Sequence, residues 1–123
     1  MDILEFRDYC LSLPGTEECT PFDETTLVFK VGGKMYTLTD MERFEWINVK
    51  CDPDRAIELR EQYAGVIPGV HMNKRHWNTV NVTGDLPDKL IRGWVRDSYD
   101  LVVDGLPRKV RDTIAGYARN RKQ

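Results

Sequence analysis

The sequence is poor in cysteine, in long apolar runs and in excess charge of either sign. Its three cysteines, Cys10, Cys19 and Cys51, show no C-x-x-C spacing, so neither a disulfide framework nor a structural zinc site is expected. No apolar run approaches the roughly 18–20 residues of a membrane helix, and no basic segment precedes an apolar stretch at the N-terminus. Eighteen Lys and Arg against 20 Asp and Glu give a net charge of −2, which argues against strong non-specific attraction to nucleic acid or anionic membrane. We therefore expect a cytoplasmic protein that does not bind membranes.

The sequence also lacks the common motifs of nucleotide-dependent and hydrolytic enzymes. Neither a G-x-x-x-x-G-K-[ST] nor a G-x-G-x-x-G occurs, and no G-x-S-x-G marks a nucleophile. Gly32-Gly33-Lys34 superficially resembles a phosphate-binding loop, but it joins two strand patterns, which favours a hairpin turn. Ser98 lies in the middle of a helical pattern, where a packed serine is expected. We expect a protein that is not an enzyme, with no catalytic residues and no cofactor.

The length of 123 residues, with 41% hydrophobic and 31% charged residues, predicts one domain over residues 1–123. The helical and strand patterns follow the order α-βββ-α-β-αα, which predicts an α+β two-layer sandwich, with an antiparallel four-stranded sheet and helices on one face. The predicted elements are helix 2–12, strands Thr25–Val31, Lys34–Thr39 and Phe44–Cys51, a helix from Asp52 to Ala64, strand 76–82, helix Pro87–Val103 and helix Arg108–Arg121.

Alternation along the first three strands predicts which residues share a face. The core face would carry Leu27, Phe29, Val31, Tyr36, Leu38, Ile47 and Val49. The opposite face would carry Val28, Lys30, Met35, Thr37, Thr39, Trp46, Asn48 and Lys50. This second face is polar and basic, with one large aromatic side chain.

Residues 69–78 form the densest cluster of side chains that could carry chemistry. The cluster contains His71, His76, Lys74, Arg75 and Trp77. The two histidines are five residues apart outside a clear helix, with no cysteine nearby, so we expect no metal site. Either histidine could serve as the general base of an unrecognised enzyme, and the role of both stays open.

The open sheet face and its rim carry the residue types of a nucleic-acid interface. Lysine and arginine side chains can neutralise phosphates, and tryptophan side chains can stack on nucleobases or make groove contacts. The candidate phosphate-binding residues are Lys30, Lys50, Lys74 and Arg75, and the candidate stacking residues are Trp46 and Trp77. The alternative is a protein-interaction or small-ligand module in which the 71–77 loop forms a pocket wall against the last helices.

Three segments together resemble the MmcQ/YjbR family of small bacterial proteins. They are LEFRDYCLSLPGTEECTPF (4–22), HMNKRHWNTV (71–80) and SYDLVVDGLPRKVR (98–111). The family motifs fall on Lys74, Arg75, His76 and Trp77 before the fourth predicted strand, and on Ser98 and Tyr99 in the long helix.

The resemblance implies a CyaY-like fold, similar in topology to frataxins, whose sheet and hairpins have been likened to a double wing DNA-binding motif. It therefore implies a DNA-binding protein, and we expect a monomer. The likeness to frataxins also suggests iron binding through Asp2, Glu5 and Asp8, although acids at a helix start more often complement the helix dipole.

Overall fold

Six strands form one antiparallel sheet in the order β1-β2-β3-β4-β6-β5 among residues 1–114, the part of the chain that the computed structural model describes. The strands are β1 (Thr16–Cys19), β2 (Thr26–Val31), β3 (Lys34–Asp40), β4 (Trp46–Lys50), β5 (Val66–Pro68) and β6 (Trp77–Asn81). The helices are α1 (Ile3–Ser12), α2 (Pro53–Gln62), α3 (Asp88–Asp104) and α4 (Arg108–Asp112). The α+β class with an antiparallel sheet is confirmed.

The prediction of four strands is wrong, because the sheet has six. The two missed strands are β1 and β5, which lie at the two edges of the sheet. Strand β1 has the polar sequence TEEC, and β5 has three residues and ends in Pro68. Short, charged or proline-containing strands are typical of sheet edges, and they carry little of the apolar alternation that reveals a strand. The predicted last helix begins at Arg108 as expected, α4 ends at Asp112, and residues 115–123 lie outside the described residues.

Local capping explains where the first two long helices begin. Asp2 accepts a hydrogen bond from the Glu5 backbone nitrogen (2.8 Å), and the Glu5 carboxylate accepts one from the Asp2 backbone nitrogen (3.2 Å), which completes a capping box. Asp52 caps α2, and Pro53 occupies its first position. Two of the three acids considered for iron thus cap α1. No helix formed by residues 1–114 is long and apolar enough to cross a membrane.

The main core lies between the helices and one face of the sheet, called here the inner face. Helix α3 contributes its buried stripe, which includes Ile91, Val95 and Tyr99. The β2–β3 connection is a tight hairpin in which Gly32 and Gly33 have φ of 58° and 79°. Two successive positive φ angles fit a type I′ turn, so the Gly-Gly hairpin prediction is confirmed.

A β-bulge at Tyr36 corrects the predicted faces of β3. Phe29 pairs with Thr37 and Lys30 pairs with Met35, so Tyr36 is the extra residue. The parity of the strand therefore changes at this point, and Leu38 lies on the face opposite the helices, where it packs against Val28. Thr37 and Thr39, predicted for that opposite face, instead pair with core strands and are fully buried, with their hydroxyls donating to the carbonyls of Asn48 and Trp46.

Candidate nucleic-acid interface

The sheet face opposite the helices, called here the outer face, is organised in three cross-strand rows. Directly paired residues share a face, so the strand register defines each row. At the end of the β2–β3 hairpin, Lys30 pairs with Glu17 on one side and Met35 on the other, and Lys50 pairs with Trp77. The bulge at Tyr36 interrupts the β3–β4 pairing between these two sets. The middle row contains Val28, Leu38, Asn48, Thr79 and Ile67, and the far row contains Thr26, Asp40, Trp46 and Asn81.

Residues 69–76 fold back over the middle row, so this face is not open along its whole length. The Val70 backbone nitrogen donates to the Thr79 hydroxyl (2.8 Å), and the Val70 carbonyl accepts from Asn48 Nδ2 (3.4 Å). Met72 packs on the apolar cluster of Val28, Leu38 and Trp77. Any extended ligand is therefore restricted to the two ends of the outer face.

Trp77 lies beneath this loop rather than on the surface. Its side chain is 8% exposed and forms a cluster with Val28 and Leu38. Gly69 passes directly over it, because a Cβ added at Gly69 would lie 2.8 Å from the Cβ of Trp77. The indole of Trp77 is thus packed beneath the loop and offers little exposed surface for stacking.

Lys74 and Arg75, which are adjacent in the loop, have different environments. Lys74 Nζ donates to the Gly69 carbonyl (2.9 Å), and the Lys74 carbonyl accepts from Arg60 (3.2 Å), so Lys74 ties the loop together. The Arg75 side chain is exposed and forms no salt bridge with any residue of the described part. Arg75 is therefore the more available of the two for an anionic ligand.

A groove of about 300 Å³ at the hairpin end of the sheet collects positive charge. Lys34, Met35, Lys50 and Trp77 line it, together with the end of α3. Lys30 pairs with Met35 on the outer face, and its other cross-strand partner is Glu17. We call the groove and these three lysines the basic groove. Sequence reasoning predicted Lys30 and Lys50 but took Lys34 only as part of the hairpin. The position of Lys34 immediately after the Gly-Gly turn was the signal in the sequence that could have placed it at this end of the sheet.

The charge changes sign on the helix side of Lys50. A second groove between α2 and α3 is lined by Lys50, Arg55 and four acidic side chains. Its acids are Asp52, Asp97, Asp100 and Asp104. Partial burial and the neighbouring Asp100 raise the pKa of Asp97 above its usual range. An anionic ligand is therefore attracted to Lys50 from the hairpin side and repelled from the helix side.

The remaining candidate residues lie apart from the basic groove. Trp46 is half-buried at the far end of the outer face, where it lines a cleft of about 420 Å³ together with His71. His71 has a φ of 60°, in the left-handed region that non-glycine residues seldom adopt. The His76 carbonyl accepts from the Cys51 backbone nitrogen (2.7 Å) beside the end of β4. The two histidines thus belong to different parts of the loop.

The potential nucleophiles occupy structural positions. The Ser98 hydroxyl is fully buried and bonded to two strands, accepting from the Lys50 backbone nitrogen and donating to the Tyr36 carbonyl. Burial raises the pKa of Cys10 to about 12 and that of Cys51 to about 11, which keeps both thiols protonated near neutral pH. Within residues 1–114, no group of three His, Cys, Asp or Glu side chains is placed to hold a metal ion.

The fold and the site together define a small α+β domain with a basic groove at one end of an antiparallel sheet. A family model described as YjbR matches residues 11–101, and the chain belongs to the YjbR family. It is 39% identical to the uncharacterized protein YbdF of Escherichia coli O157:H7 over 80% of this chain and 82% of that protein. It is 35% identical to the uncharacterized protein YjbR of Escherichia coli K12 over 93% of this chain and 98% of that protein.

Solved structures share the fold. The crystal structure of Deinococcus radiodurans protein DR2400 superposes with a TM-score of 0.85 at 39% identity, covering 90% of this chain and 86% of that one. A crystal structure of a Pseudomonas syringae protein superposes with a TM-score of 0.70 at 28% identity, covering 82% of this chain and 98% of that one.

Proposed function

We propose that this YjbR-family chain is a non-enzymatic, cytoplasmic protein that binds nucleic acid, DNA in the first place, through the basic groove. The observation that carries the proposal is the lining of this groove, which contains Lys34 and Lys50, while Lys30 pairs with Met35, another residue of the same lining. None of these three lysines forms a salt bridge with a residue in the range 1–114. Two ammonium groups that line a groove, with a third beside it opposite Glu17, suit the phosphates of a backbone.

The likeness to the double wing motif of CyaY-like folds adds support, because Lys34, directly after the β2–β3 turn, lines this groove. The contact is with the sugar-phosphate backbone rather than with base edges, since the loop over the middle row leaves no long open strand surface. A net charge of −2 and the acids behind Lys50 make the interaction weak and confined to the hairpin end. We expect the chain to act as a monomer.

A matched pair of variants tests the location of the interface. Lys34→Gln with Lys50→Gln removes two positive charges from the groove, and Arg43→Gln with Lys89→Gln removes two exposed charges elsewhere, so both variants have the same net charge. Fluorescence anisotropy with labelled duplex and single-stranded DNA measures the dependence of affinity on salt concentration. The groove variant is expected to bind more weakly and to flatten this dependence by up to about two units in the log–log slope. Equal affinities and slopes for the two variants would remove the groove from the interface.

A further inference from the structure

The cleft at the far end of the outer face differs in chemistry from the basic groove. We call it the Trp46 cleft, and its named walls are Glu45, Trp46, Ile67, Val70, His71 and Asn81. Its volume of about 420 Å³ lies within the range of small-molecule sites. None of these six residues is a lysine or arginine, so a phosphate has little to hold it there.

Two large apolar side chains that line the cleft are exposed to solvent. Ile67 and Val70 are 47% and 42% exposed, and both lie beside the half-buried indole of Trp46. An aliphatic pair next to an indole forms a surface on which a flat aromatic ring can stack. A ring stacked here would remove apolar surface of the cleft from water.

The polar rim of the cleft offers a donor and an acceptor. Asn81 Oδ1 accepts from both the backbone nitrogen and the hydroxyl of Thr83, at 2.8 Å each, which fixes the carboxamide and leaves Nδ2 as the donor. Glu45 is an exposed residue of the same lining, and its carboxylate is the acceptor that this rim can offer. The Thr79 hydroxyl is already used by Val70 and Asn48, so it adds no specificity.

The wall formed by the loop is already in place. Val70 is anchored to Thr79 and Asn48 by its two backbone groups, and this anchoring holds His71 at a φ of 60° over the cleft. A ligand would therefore spend little of its binding free energy on ordering the loop.

We propose that the Trp46 cleft binds one nucleobase, either as a free nucleoside or as an unpaired base of a single strand. A nucleobase is a flat ring with hydrogen-bond donors and acceptors on one edge, which matches an indole wall with an amide donor and a carboxylate acceptor on its rim. Trp46 and Lys50 are four residues apart in β4, about 13 Å at roughly 3.3 Å per residue. Because the loop covers Asn48 between them, a single strand held in the basic groove has to pass around this loop to place a base in the cleft. Because a free nucleoside needs no groove, this proposal does not depend on the preceding one.

Titrations followed by ¹⁵N NMR test the cleft directly. The probes are adenosine, guanosine, cytidine and thymidine at millimolar concentrations, a short single-stranded DNA, and a fully paired duplex. The signals to follow are the Trp46 indole N–H and the Asn81 side-chain amide. We expect at least one nucleoside to shift both signals, and the single strand to shift them more than the duplex does.

Three variants make the assignment specific. Trp46→Ala is expected to weaken nucleoside binding at least about fivefold, because it removes the stacking surface. Asn81→Asp keeps Oδ1 for the Thr83 turn but removes the Nδ2 donor, and it is also expected to weaken binding. Phe22→Ala, which truncates an exposed aromatic ring elsewhere, is expected to leave affinity unchanged.

The outcomes separate the two proposals. Nucleoside binding that is lost in Trp46→Ala and weakened in Asn81→Asp supports the cleft even if no DNA binds, and in that case the groove proposal fails. If no nucleoside moves these signals while DNA shifts only residues of the basic groove, the cleft proposal is overturned and the groove proposal stands. Because Asn81 is a surface residue, its variant keeps the test decisive if Trp46→Ala does not fold.

Discussion

The Ser98 hydroxyl in α3 accepts a 2.8 Å hydrogen bond from the backbone nitrogen of Lys50 in β4. It also donates to the carbonyl of Tyr36, the bulged residue of β3. The β3–β4 ladder pairs Thr37 with Val49, and the next position along would pair Tyr36 with Lys50. Ser98 thus bridges the two strands where the bulge interrupts their pairing. This bridge fixes the end of β4 and, with it, the position of Lys50 in the basic groove.

Ser98→Ala is expected to lower the free energy of unfolding by about 1–3 kcal/mol, because a buried N–H and a buried carbonyl lose their shared partner. Denaturant unfolding monitored by circular dichroism measures the change. The control is Ser12→Ala, since the exposed Ser12 hydroxyl bonds only to a carbonyl of its own helix. Similar stability losses in both variants would contradict the bridging role.

Gly69→Ala is expected to disturb the loop that covers the outer face. The added methyl would lie 2.8 Å from the Cβ and 2.9 Å from the carbonyl oxygen of Trp77, so the loop or β6 must shift. We expect a loss of about 1–3 kcal/mol in the free energy of unfolding. A change in the near-ultraviolet circular dichroism of tryptophan would show that the covering of Trp77 has altered.

Gly93→Ala is the control for Gly69→Ala, and it is expected to change the free energy of unfolding in the opposite direction. Gly93 is exposed in the middle of α3, and an added methyl would meet no atom within 4 Å. Replacing a helical glycine with alanine is expected to stabilise by about 0.5–1 kcal/mol. If both glycine variants changed stability in the same direction, close packing at Gly69 would be the wrong explanation.

Glu18→Gln is expected to reduce stability at neutral pH and not at low pH. Arg7 makes a two-pronged contact with the Glu18 carboxylate, at 2.7 and 2.5 Å, and this hydrogen bonding lowers the pKa of Glu18. A carboxyl group whose pKa is lower in the folded state contributes stability above its unfolded pKa, roughly 4.3, and loses it as the pH falls through the folded pKa.

Melting temperatures of both proteins from pH 7 to pH 2.5 check this prediction. The difference between wild type and Glu18→Gln should be largest at neutral pH and should disappear at the acidic end. A constant difference across the pH range would mean that the Arg7 contact does not contribute.

Local signals in the sequence were sufficient for much of the fold. The Gly-Gly turn, the Asp52-Pro53 helix start and the apolar stripe of α3 are each encoded within a few residues, and each was predicted. The edge strands could not be predicted in this way, because β1 and β5 exist only through pairing with β2 and β6. The parity of β3 failed for the same reason, since the bulge at Tyr36 is visible only in the pairing with β2.

In the candidate site, too, the features encoded locally could be predicted and those that depend on distant parts of the chain could not. The outer-face positions of Lys30 and Lys50 followed from alternation within a single strand. The covering of Trp77 and the anchoring of Lys74 depend on how residues 69–76 fold back on the sheet, which no spacing in the sequence reveals. The inclusion of Lys34 in the groove likewise depends on the position of the end of α3.

The most direct test of nucleic-acid binding is a salt titration of the wild-type protein. Fluorescence anisotropy with labelled duplex and single-stranded DNA, from about 50 to 200 mM salt, gives the association constant at each salt concentration. Three to four phosphate contacts predict a log–log slope of roughly −3 for duplex DNA, at about 0.9 per contact, and a shallower slope for single strands. No binding at the lowest salt, or binding that does not respond to salt, would contradict the proposal that the basic groove binds phosphates.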